Sequence, residues 1–224
     1  MDSTLHLLLA TVAFLALHVF PSTPLRAHAV KVLGEGPYLG LFSLFSAAGL
    51  VWMSVAYGST PMDALWPAQH LVPVYVLPFA FVLLACGLLA RNPALTGQAG
   101  VLKHGDAARG ILRITRHPVM WAIMLWAGAH LLALGSLRAT VFFGGLLLLA
   151  GAGTTLQDAR KAKALGDDWK RFAASTSNIP FVAIAQGRTK LVWKEIGWWR
   201  PAVGLALFAL LLWFHPWLFG YRPY

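Results

Sequence analysis

The chain has 224 residues, 58% of them hydrophobic and 12% charged, about half the charged fraction of an ordinary soluble protein. That composition excludes a soluble globular domain and points to the membrane. The net charge of +10 raises nucleic acid as a partner, but its Lys and Arg lie between apolar blocks rather than along a hydrated face, which argues against nucleic-acid binding.

A membrane-crossing helix needs about 20 mostly apolar residues, with a range of about 17 to 25. Six blocks qualify, near 4–20, 38–56, 72–90, 118–134, 139–155 and 201–219. The first resembles the apolar part of a signal peptide. Its flank carries Asp2 instead of a basic region, and "FPSTPLRAH" is a poor cleavage site, so it reads as a retained helix. In the fifth block Gly144 and Gly151 stand two turns apart on one face, a pattern that permits close approach of a neighbouring helix. The only long polar stretch is 156–200. Its first part, "LQDARKAKALGDDWKRFAAS", places Leu165, Trp169 and Phe172 on one face and predicts a basic amphipathic helix along the membrane surface. Trp193, Trp198 and Trp199 follow as an interfacial aromatic belt. The fold class is therefore an all-α polytopic membrane bundle of about six transmembrane helices plus a cytoplasmic amphipathic helix. It forms a single integral membrane domain over 1–224, with 156–200 as its cytoplasmic segment.

Orientation follows from the basic residues in the connections. Of the 18 Lys and Arg, all but Arg138 and Arg222 fall in 21–37, 91–117 or 156–200. Those connections belong in the cytoplasm, and both termini face away from it. The single cysteine, Cys86, has no partner for an intrachain disulfide.

Ionisable side chains inside spanning helices usually face the bundle interior and mark function. His6, His18, His130 and His215 fall within spans, and His117 stands at the entrance to the fourth. His28, His70 and His104 lie in connections and face water or headgroups. His117 and His130 are thirteen residues apart, about 140° around the axis and roughly 20 Å along it, so one straight helix cannot bring both to one metal. A metal or haem site must draw on two helices. Depth pairs His18 with His117, and His6 with His130. Arg109, Arg113 and Arg116, at spacings of four and three, share a face if the entry to the fourth span is helical, and with His117 they offer donors to a phosphate, a carboxylate or a haem propionate. Headgroup anchoring is the alternative reading of the same cations. No cysteine cluster, glycine-rich phosphate loop or deep carboxylate pair is present.

The segments "HVFPSTPLRA", "LVWMSVAYG", "ARNP", "GILRITRHPVMW", "WAGAHLL" and "DWKRFAASTSNIPFVAIAQGR", in that order from about 14 to 188, resemble the NnrU family of bacterial integral membrane proteins. The resemblance implies an inner-membrane protein associated with denitrification, linked to nitrite and nitric oxide reduction. That family is in turn similar to 15-cis-zeta-carotene isomerase, a haem b protein whose axial histidines match His18 and His130. By this resemblance His18 and His130 are the metal ligands of haem b; the depth pairing keeps His117 as an alternative ligand, and the cationic cluster places Arg113 and Arg116 near a propionate. Two departures stand out. Ala127 occupies the position where the isomerases carry a thiol, and Leu134, Gly135 and Ser136 replace an Asn-Gly-Asp turn.

"RHP" followed by a span and "DARKAKALGDDWKRF" also resembles isoprenylcysteine carboxyl methyltransferases. Those bind S-adenosylmethionine between the Arg-His-Pro entrance and a downstream acid, for which this chain offers Arg116, His117 and Asp158. Three readings result. The first is a haem-binding inner-membrane protein supporting denitrification through redox, haem-sensing or isomerase-like chemistry. The second is a methyltransferase-like membrane enzyme, and the third a non-enzymatic assembly factor for a nitrogen-oxide reductase. Membrane lipids, haem and such a reductase are the expected partners.

Overall fold

A computed structural model describes residues 2–95, 97–104 and 107–223. The side chain of His104, expected above to face water or headgroups, lies outside the described set. Among the described residues the fold is all-helical apart from one isolated bridge, Ala64 to Ser136. Its helices are α1 Ser3–Val19, α2 Leu25–Leu33, α3 Glu35–Ser59, α4 Leu71–Leu89, α5 Pro118–Leu134, α6 Leu137–Ser175, α7 Val182–Ala185, α8 Trp193–Ile196 and α9 Trp199–Phe219.

The segments Ser3–Ser22, α3, α4, α6 and α9 are long and apolar enough to cross a membrane. At 17 residues α5 is shorter, about 25 Å of helix. It sits between α4 and α6, and the helices follow one another in the row α9, α4, α5, α6, α1, α3. Each predicted block is present within a few residues of its expected ends, except the fifth, whose helix continues from the expected end near 155 to Ser175. Because lipid supplies no hydrophobic drive for helix association, small residues decide how closely the helices approach. α5 buries Ala122, Ala127, Ala129 and Ala133 against its neighbours. A β-carbon on Gly145 would stand 2.5 Å from Thr11 of α1, and one on Gly204 of α9 would stand 2.5 Å from the Phe81 carbonyl of α4. The close approach expected at Gly144 and Gly151 falls instead on Gly145. Gly144 has open space around it, and Gly151 meets only the Met124 sulfur at 3.7 Å.

The two ends of the bundle differ. At the end away from the basic connections, the Gly135 carbonyl accepts from Leu65 and Trp66, the Leu132 carbonyl accepts from Gln69, and Arg138 donates to the Thr60 carbonyl at 3.0 Å. This far end therefore gathers the start of α1, the end of α3, the start of α4 and the α5–α6 turn. The basic end holds α2, where Arg26 pairs with Glu35 at 2.7 Å.

The amphipathic stretch is present, but as a continuation of α6 rather than a separate surface helix. The helix runs past the span and bends at Gly166, whose φ of 55° and ψ of −125° few residues other than glycine adopt. Beyond the bend Trp169 and Phe172 bury against Ile111, Leu112 and Ile196. The face expected to lie on lipid covers protein instead. Sequence periodicity identifies such a face without saying what covers it.

Candidate functional site

The basic end is assembled from the motifs that carry the family resemblance. His117 precedes α5 with φ −120° and ψ 52°, and Pro118 opens the helix, where its missing N–H costs no bond. The turn before it, which follows a 3-10 helix over Gly110–Arg113, is clamped by the segment after α6. Arg116 N–H donates to the Ser177 carbonyl at 2.9 Å, Phe181 N–H to the Ile114 carbonyl at 2.8 Å, and the Thr115 hydroxyl to the Asn178 carbonyl at 2.5 Å. Trp121 also donates to the Asn178 carbonyl, and the Asn178 amide donates to Thr154 on α6. From "ARNP", fully buried Asn92 donates to the Arg116 carbonyl at 3.4 Å. Three separated sequence motifs, with Thr154 of α6, thus meet around one backbone turn.

Asp158 on α6 is the charge at the centre. Its oxygens accept from Arg116 Nε at 2.9 and 3.0 Å, from an Arg116 terminal nitrogen at 2.5 Å, and from His117 Nε2 at 2.7 Å. The His117 side chain is 1% exposed and that of Arg116 14%. Burial disfavours the Asp158 carboxylate, but hydrogen bonds and charge from His117 and Arg116 outweigh it and hold the carboxyl below its usual range. Cation and imidazole are closed onto one carboxylate, so they fix the entry of α5 rather than face a methyl donor.

Beside this hub, Glu195 accepts from Arg113 Nε at 2.8 Å and a terminal Arg113 nitrogen at 3.0 Å, and from Gly110 N–H at 2.8 Å. Arg113 also reaches the Thr189 hydroxyl at 2.9 Å. The Arg113 hydrogen bond is the main reason the Glu195 carboxyl is pulled down to about 2. Glu195, Asn178 and Asn92 are the residues that sequence reasoning missed as members of the site. Asn92 and Asn178 carry only the signal of lying within quoted motifs and Glu195 carries none, because their partners lie up to 85 residues away.

The intramembrane imidazoles divide by the bonds they make. A carbonyl oxygen only accepts, so a ring nitrogen bonded to it carries the proton and leaves the other nitrogen with a lone pair. His18 Nδ1 donates to the Phe14 carbonyl at 2.9 Å, His130 Nδ1 to Trp126 at 2.8 Å, and His215 Nδ1 to Tyr221 at 2.8 Å. His6 differs, since its Nε2 accepts from Trp52 at 2.8 Å, and His117 Nε2 is taken by Asp158. His18 lies against Phe14 and Phe42, and His130 stacks on Phe143 at 5.1 Å with Trp126 at its edge.

Depth separates them. His130 is four residues from the far end of α5 and His215 four from the end of α9, each roughly 6 Å below that face. His18, fifteen residues into α1 from the same end, is roughly 22 Å below it. The side chains of α1 and α5 lean toward their own helix starts, hence toward each other, which recovers a few ångström of the gap. The donor chemistry of an iron porphyrin fits at His130, whose Nδ1 is fixed on the Trp126 carbonyl and whose Nε2 keeps a lone pair. His18 and His130 do not share one depth. Among the described residues no group of three or more His, Cys, Asp or Glu is placed to hold a metal ion.

Comparison with known proteins agrees with the architecture. The family model described as NnrU protein matches residues 6–223. The chain is 30% identical over 190 residues to the chloroplastic 15-cis-zeta-carotene isomerase of Zea mays, covering 83% of this chain and 52% of that protein. It is 32% identical over 129 residues to the Arabidopsis thaliana protein of the same name, covering 58% of this chain and 32% of that one. The chain thus spans about half or less of the length of these curated relatives. No solved structure matches.

Proposed function

Because this chain belongs to the NnrU family, we propose that it is a haem b-binding protein of the bacterial inner membrane with isomerase-like chemistry, acting in support of nitrite and nitric oxide reduction. The isomerase-like part rests on likeness to the two carotene isomerases, and the denitrification part on the family resemblance. Termini on the periplasmic side follow from the basic residues gathered at the opposite end.

The observation that carries the haem reading is the pair of imidazoles, His130 and His215, at one depth with Nδ1 fixed on backbone and Nε2 free. A backbone bond of this kind sets the tautomer and aims the ring at a metal. The surroundings of His130 are aromatic, with Trp126 and Phe143 against the ring. Between the helix ends α1, α4 and α5 carry no carboxylate or lysine. Rearranging a double bond in an apolar conjugated substrate exchanges no atoms, so such an interior suits it without a general acid or base. Haem iron, when bound, supplies a one-electron centre whose potential follows its axial ligands. The chain's own part is to hold the imidazoles, exclude water and offer flat aromatic faces.

The test is a visible spectrum of protein purified after expression with ample haem supply. A Soret band is expected, lost in His130→Ala. In His215→Ala the spectrum should change from six- to five-coordinate, and in His18→Ala it should not. If His18→Ala alone gives that change, the ligand pair implied by the resemblance stands and the depth argument fails. A colourless wild-type protein overturns the haem reading.

A further inference from the structure

A cavity of about 390 Å³ opens at the basic end, where α4 leaves the bundle and α9 enters it. Its floor is apolar and includes Cys86 and Leu89, while its rim carries Arg91, Arg109, Arg200 and Glu195. The size falls within the range of small-molecule sites. Its charge is one-sided. Glu195 is matched chiefly by Arg113, which leaves Arg109 only a long contact to it, and among the described residues Arg91 and Arg200 face the cavity with no ion pair. Arg109 stands 3.9 Å from Glu195 with its side chain 69% exposed, and Arg91 is exposed.

Arg200 supplies a second observation. One terminal nitrogen donates to the Ile196 carbonyl at 2.8 Å and the Glu195 carbonyl at 3.3 Å, yet its buried Nε has no acceptor. A buried N–H without a partner is costly, and an arriving anion would relieve that cost. The depth indicates which anion. Trp198 and Trp199 beside Arg200 are exposed aromatics of the kind that lie at headgroup level, and Leu88 and Leu89 next to the cavity are exposed to the acyl region.

We propose that this cavity binds the phosphate of an anionic glycerophospholipid, with Arg91, Arg109 and Arg200 around the headgroup and the Cys86–Leu89 floor against the first carbons of the chain. Basic pockets between spanning helices bind lipid headgroups through the same combination of charge and apolar wall. The site is independent of the haem reading, since it lies at the opposite end of the bundle from His130 and His215.

The test uses the full-length protein in detergent and native mass spectrometry, with phosphatidylglycerol and phosphatidylcholine offered in equal amounts. Wild-type protein is expected to retain phosphatidylglycerol preferentially. The double variant Arg91→Gln/Arg109→Gln should lose that preference by about tenfold or more, the scale for two basic residues near an anionic surface. Arg109→Glu, a single exposed reversal, should act in the same direction. Lys170→Gln/Arg171→Gln removes two charges elsewhere on the basic end and should retain the preference. An equal loss in this control, or no wild-type preference, overturns the proposal. Displacement of the lipid by millimolar inorganic phosphate would also overturn it, making free phosphate the ligand.

Discussion

Removing the Asp158 carboxylate leaves Arg116 and His117 buried with nothing to bond. Loss of one partner from a buried ion pair costs about 3–5 kcal/mol. The Asp158 side chain keeps 19% exposure, so water recovers part of this and the expected loss in Asp158→Ala is about 2–4 kcal/mol. For a chain of this size that lowers the melting temperature by about 5–15 °C. Differential scanning fluorimetry in detergent reads the shift. Asp158→Asn, which keeps one acceptor oxygen, should fall between wild type and the alanine variant. Arg116→Met combined with Asp158→Leu should recover part of the loss, because it removes a buried charge together with its counter-charge. The direction with pH is also fixed. The folded carboxyl lies below its usual range, so its contribution is present above the ordinary carboxylate range and is lost as pH falls through the lowered value. An Asp158→Ala protein melting within 1 °C of wild type would refute the view that this carboxylate holds the entrance of α5.

The Glu195 latch makes a separate pH prediction. With its carboxyl at about 2 against an ordinary 4.5, its stabilising share is complete above 4.5 and disappears as pH falls through about 2, so denaturant unfolding of wild type should weaken across that window more steeply than that of Glu195→Gln. At the α4–α9 contact, Gly204→Leu drives a side chain into the Phe81 carbonyl, and a loss of about 1–3 kcal/mol should appear as a lower melting temperature. Gly144→Leu, placed in open space on α6, should leave the melting temperature nearly unchanged and serves as its control.

Runs of apolar residues determined the class and located the six apolar helices, because lipid imposes length and hydropathy on each segment locally. The start of α5 at Pro118 was equally legible, since proline presets the first helical turn. Motif order alone identified the NnrU resemblance. The helix row is another matter. That α6 lies between α5 and α1, or that α9 closes on α4 at Gly204, depends on which small residues meet across helices, and no local pattern chooses Gly145 over Gly144. The same holds for charge. "RITRH" announced a cationic cluster, but only folding turned Arg116 and His117 onto Asp158 and Arg113 onto Glu195, closing contacts across 41 to 82 residues of chain. The imidazoles depended on both levels. Sequence placed His18, His130 and His215 in the membrane, while the directions in which α1, α5 and α9 run set their depths, because each residue advances a helix by only about 1.5 Å and a reversed helix counts that advance from the other face.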